Sequence, residues 1–67
     1  MYQGLVMAMA TQICTEVAIR DVDDYTIAFC FQQERGVTDF VNELQAYSNR
    51  LSLVRLGLEV IVTFVED

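Results

Sequence analysis

Between Thr11 and Gln32 the chain alternates strictly between two populations of residues, and this alternation limits its possible folds more than any other feature. The odd positions are Thr11, Ile13, Thr15, Val17 and Ile19 and then, beyond Asp21-Val22-Asp23, Tyr25, Ile27, Phe29 and Phe31. The even positions are Gln12, Cys14, Glu16, Ala18 and Arg20, then Thr26, Ala28, Cys30 and Gln32. A period of two in β-branched and aromatic residues marks strands, so the stretch predicts a β-hairpin folded about Asp21-Val22-Asp23. If the odd residues of both arms share a face, the loop must hold an odd number of residues. A three-residue loop sets Arg20 against Asp24, Ile19 against Tyr25, Val17 against Ile27 and Cys14 against Cys30.

The first arm admits a rival reading. Leu5, Met9, Ile13 and Val17 recur at every fourth position, with Thr11, Gln12, Thr15 and Glu16 on the opposite side, as in an amphipathic helix. Met and Ala favour that helix, and the β-branched series from Thr11 to Ile19 opposes it. The β-branched majority favours the strand, and a helix over residues 5–19 is the alternative.

A strand beginning near Leu5 would run about 50 Å, whereas a compact domain of this size is about 28 Å across. Such a strand must bend or project onto a second subunit. A chain of 67 residues forms a single small domain, 1–67, which buries only about 60% of its unfolded surface. Yet 54% of the residues are hydrophobic and the mean hydropathy is +0.33. The excess apolar surface predicts burial against another copy, as a homodimer or higher homo-oligomer, or against a protein partner.

Gln32-Gln33-Glu34-Arg35-Gly36 is polar and ends in glycine, so it reads as a connection. A helix follows from Thr38 to Asn49, with Phe40, Val41, Leu44 and Tyr47 on its apolar face and Thr38 as N-cap. From Leu51 the period returns to two: Val54, Leu56, Leu58, Val60, Val62 and Phe64 form the core set, and Gly57 marks a bulge or bend. No internal repeat is evident. The predicted class is α+β, in the order β-β-α-β. Its three-stranded, mainly antiparallel sheet has order 2-1-3, with the helix packed on one face. The alternative, α-β-α-β, replaces the first strand by a helix. On the predicted open face lie the small residues Ala8, Ala10, Cys14, Ala18, Ala28 and Cys30, the candidate dimer face.

Several chemistries are excluded. The chain has no histidine, which removes Ser-His-Asp, Cys-His and histidine-metal sites within one chain. Its three glycines are too scattered to cradle a phosphate. Ten acids against four bases give a net charge of −6, and no basic patch supports direct nucleic-acid binding. Asp21, Asp23 and Asp24 offer oxygen ligands, but the cluster is too short for a calcium loop. Cys14 and Cys30 lack redox or zinc spacing and read as small buried hydrophobes or as a cross-strand disulfide. No apolar run is long enough to cross a membrane, and no export signal is recognised, so the expected compartment is cytoplasmic.

What remains is a non-enzymatic, acidic interaction module, without catalytic, cofactor or metal residues, that binds and regulates or inhibits another protein. Its candidate interaction residues are Asp21, Asp23, Asp24, Arg20, Arg35 and Arg55. One alternative is a regulatory domain whose arginines hold an anionic small molecule at the dimer seam. A weaker alternative is an acidic mimic of nucleic acid.

Overall fold

A computed structural model describes residues 2–47 and 49–65. Its elements are α1 (Tyr2–Ile13), β1 (Ala18–Asp23), β2 (Thr26–Cys30), α2 (Glu34–Leu44), a short 3₁₀ turn (Gln45–Tyr47), β3 (Leu51–Leu56) and β4 (Glu59–Phe64). The α+β class holds. The sheet has four strands rather than three, all antiparallel, in the order β1-β2-β4-β3, and two helices instead of one.

The predicted first strand is a helix up to Ile13, as the alternative allowed. From Gln3 to Gln12 the chain holds two glutamines, Leu5, Met7, Ala8, Met9 and Ala10, which are strong helix formers. Leu5 to Ala10 is apolar throughout, so a period of two and a period near four fit equally well. The helix ends where the β-branched residues become dense. Thr11 is accommodated because its hydroxyl donates to the Ala8 carbonyl at 2.9 Å. The Cys14 amide adds one further bond, to the Ala10 carbonyl at 2.9 Å. The chain then turns and enters β1 at Ala18, so the helix is shorter than the 5–19 of the alternative reading.

The hairpin survives with a different loop and register. Its turn is Asp24-Tyr25, not Asp21-Val22-Asp23. Ala18 pairs with Cys30, Ile19 with Phe29, Arg20 with Ala28 and Asp21 with Ile27, and a bulge lies between Asp21 and Asp23. The predicted pairs Arg20–Asp24 and Cys14–Cys30 are therefore absent. A two-residue turn on its own would put odd residues opposite even ones. The extra residue at the bulge restores the common face that the alternation demands.

The second helix starts four residues before Thr38, so the polar connection to Gly36 is mostly its first turn. Gln33, in extended conformation, is the N-cap in place of Thr38, and Glu34 brings negative charge to the first turn, where the helix dipole favours it. Gly36 permits this early start: a Cβ there would stand 3.0 Å from the Phe31 ring. The last predicted strand folds back on itself as β3 and β4. Gly57, at φ +62°, and Leu58 form the turn, and a glycine in the left-handed region at the first loop position suits a two-residue hairpin.

Both helices lie on one face of the sheet. Val6 and Ala10 of α1 and Val37, Phe40 and Leu44 of α2 pack with Ile27, Phe29, Phe31, Leu51, Val60, Val62 and Phe64. The ring of Phe40 lies 4.8 Å from Phe29 and 5.1 Å from Phe31, tilted against both, and each such pair adds about 0.5–1.5 kcal/mol beyond burial. No polar or charged residue is buried among those described.

A repeat invisible in the residues is present in the architecture. The chain is two α-β-β units in series, joined by β2 against β4. Ile27, Phe29 and Phe31 return 33 positions later as Val60, Val62 and Phe64, and the turn Asp24-Tyr25 returns as Gly57-Leu58. Ala28 and Ile61 pair at the centre of the seam, so β1 and β3 are equivalent free edges.

Candidate interaction surface

Because both helices cover one face, the other face of the sheet is open. The registers arrange its side chains in three rows across the strands. One row is Ala18, Cys30, Glu59 and Leu56; the next is Arg20, Ala28, Ile61 and Val54; the third is Asp23, Thr26, Thr63 and Ser52. The third row is polar, with the Thr26 and Thr63 hydroxyls 3.5 Å apart. The other two are mainly apolar, and on β3 they leave Val54 52% and Leu56 57% exposed. Half-buried Ile61 lies beside Val54.

One ion pair crosses this face. The Arg20 guanidinium donates to the Glu59 carboxylate at 3.3 Å, reaching from β1 over β2 to β4. This leaves Ala28, between them, only 2% exposed and draws the Glu59 carboxylate away from β3.

The candidate dimer residues are divided between two faces. Ala18, Ala28 and Cys30 lie together on the open face. Ala10 is buried under α1, Ala8 is on the exposed side of that helix, and Cys14 follows its end. Val54 and Leu56, assigned to the core from their even positions, are exposed. The two-residue turn at Gly57 reverses parity, so Leu51 and Leu53 face inward on β3 while even residues face inward on β4. Gly57-Leu58 carries the sequence signal for that turn, since glycine suits a hairpin loop as well as a bulge or bend.

The charged candidates are also dispersed. Arg20, Asp21 and Asp23 are on β1 and Asp24 is in the turn, at one edge of the sheet; Arg55 is on β3 at the other, and Arg35 is in the first turn of α2. Asp23 builds the turn: its Oδ1 accepts the Tyr25 amide at 2.8 Å, an Asx turn. The Asp24 carbonyl accepts the Gln3 side-chain amide at 2.9 Å, tying the turn to α1. No group of three or more potential metal ligands converges among the described residues. Where α1 ends and α2 begins lies an open groove of about 260 Å³, bordered by Cys14, Glu16, Gln33, Arg35 and Asp39.

The two cysteines are free thiols, Cys14 half-buried and Cys30 exposed on the open face. No helix among the described residues is long and apolar enough to cross a membrane. No protein-family model matches the chain, and neither a curated protein nor a solved structure matches it significantly.

Proposed function

We propose that the protein is a non-enzymatic, acidic interaction module that self-associates through the open face of its sheet and regulates a partner protein by binding it. The observation that carries this reading is the pair Val54 and Leu56, more than half exposed beside Ile61 on a face that no helix covers. Contiguous apolar surface of this kind marks interaction sites, and a chain this small gains most by covering it with a second copy. Arg20 pairs with Glu59, and Arg35 and Arg55 lie on separate elements of the chain, which supports this reading ahead of an anionic small molecule held by arginines at a dimer seam.

Sedimentation equilibrium at micromolar concentrations tests the reading. The native chain is expected to be dimeric, and the double variant Val54→Asp/Leu56→Asp monomeric with an unchanged circular dichroism spectrum. Burying each side chain contributes about 1.5–3 kcal/mol, so the double change weakens association at least a hundredfold. A native chain that sediments as a monomer throughout that range refutes self-association.

A further inference from the structure

The reading as an interaction module leaves open which partner it receives, and the free edge at β3 narrows the choice. Three main-chain bonds fix the direction of the ladder. The Val65 amide donates to the Arg50 carbonyl at 2.9 Å, Phe64 to Tyr25 at 2.7 Å and Phe31 to Leu58 at 2.9 Å. Bonded pairs in an antiparallel ladder recur at every second residue. Ser52, Val54 and Leu56 therefore bond to β4, while the main-chain groups of Leu51, Leu53 and Arg55 point out of the sheet. Leu51 is buried, but Leu53 is half-buried and Arg55 exposed, which leaves a short accessible template for one more strand.

Charge at this edge differs from that of the whole chain. Between Glu43 and Glu59 there is no acidic residue, and the charges there are Arg50 and Arg55. Among the described residues Arg55 has no ion pair or side-chain hydrogen bond. The nearest acid along the ladder, Glu59, is turned toward Arg20 on the far side of β2. Charges more than about 8 Å away are largely screened at physiological salt, so an arriving segment meets the local cation more than the distant acids.

We infer that the β3 edge takes up an extended segment of a partner protein in which acidic and apolar residues alternate. The alternation follows from the pleat. Arg55 stands on the helix side of the strand, opposite buried Val60, and Val54 and Leu56 stand on the open side. A fifth strand places every second side chain on each side: acids beside Arg55, apolar groups beside Val54 and Leu56. A second copy fits less well. Its own β3 carries no acid to set beside Arg55, and its β1 is interrupted by the bulge between Asp21 and Asp23. Head-to-tail pairing of β3 with β1 would also leave edges free for open growth.

The inference rests on the interaction-module reading but not on self-association, and one titration separates them. The probe is a blocked heptapeptide alternating valine and glutamate, added to isotopically labelled protein whose amide resonances are followed by NMR. The expected result is that shift changes centre on Leu53 and Arg55 and weaken with added salt. Arg55→Glu should weaken binding about five- to tenfold, and Arg55→Lys should largely retain it. Arg55→Pro, which removes an amide pointing away from β4, should abolish binding without unfolding the sheet. Three results would overturn the inference: equal binding of the same peptide with lysine for glutamate, equal binding of a peptide with its valines and glutamates in separate blocks, or shifts scattered away from β3. Broadening of the β1 and β3 amides with protein concentration alone would assign the edge to a second copy and likewise overturn it. Sedimentation of the native chain reports on self-association independently of all of these.

Discussion

Gly4 and Gly36 are each the third residue of a helix, and alanine in their place is expected to act in opposite directions. The local term is the same: alanine loses less backbone freedom on folding and favours the helix by up to about 1 kcal/mol. The surroundings differ. Around Gly4 an added Cβ meets nothing within 4 Å, whereas at Gly36 it meets the Phe31 ring at 3.0 Å. That ring cannot simply withdraw, because Phe31 is only 2% exposed and its other side packs against Phe40 at 5.1 Å. Forcing an extra methyl into a filled core costs about 1–3 kcal/mol. Gly4→Ala should therefore stabilise the protein by about 0.5–1 kcal/mol, and Gly36→Ala should destabilise it by about 1–2 kcal/mol. A domain of this length is stable by roughly 3–10 kcal/mol, so both effects are measurable by urea unfolding followed in the far ultraviolet. The comparison is valid only if the dependence on denaturant keeps the same slope in both variants. Equal stabilisation by both would show that the first turn of α2 does not press on Phe31 and would refute the account of why the helix can begin there.

Gly57, at φ +62°, should tolerate alanine poorly: a loss of about 1–2 kcal/mol should lower the melting temperature by several degrees, with asparagine recovering part of it. A double-mutant cycle on Arg20 and Glu59 should give a coupling of only about 0–1 kcal/mol that shrinks with salt, since the Arg20 side chain is 68% exposed. A larger coupling would mean that the pair is covered in solution, as when a second copy lies on the open face.

Half of each strand pattern was readable before the structure and half was not. The inward residues of β2 and β4 stood out because buried aromatic and β-branched side chains alternate without interruption from Ile27 to Phe31 and from Val60 to Phe64. The α1 segment did not, because a nearly uniform apolar run of methionines and alanines carries no period that would choose helix over strand. The bulge in β1 and the turn at Gly57 each shift pairing by one residue, and a one-residue shift sends every later side chain to the other face. The shift at Gly57 is why even positions that face inward on β4 face outward on β3, as Val54 and Leu56 do, whereas Ala18 rather than Cys14 stands opposite Cys30 because the turn lies at Asp24-Tyr25 and not at Asp21-Val22-Asp23. The Arg20–Glu59 pair spans 39 positions, and no local pattern announces it.

The seam between the two α-β-β units also bears on how the molecule reaches this state. Each hairpin closes over a turn of two residues, so β1 finds β2 and β3 finds β4 through local encounters. The β2–β4 ladder joins residues as far apart as Thr26 and Thr63, and non-local pairings of that kind form slowly. Until they form, β2 and β4 are two more exposed edges, each complementary to the other and equally to its counterpart in a neighbouring chain. During folding the chain is thus briefly a pair of sticky half-domains tethered to each other. The short tether, Phe31 to Gln33 between β2 and α2, keeps the right half close enough to be captured before a stranger is.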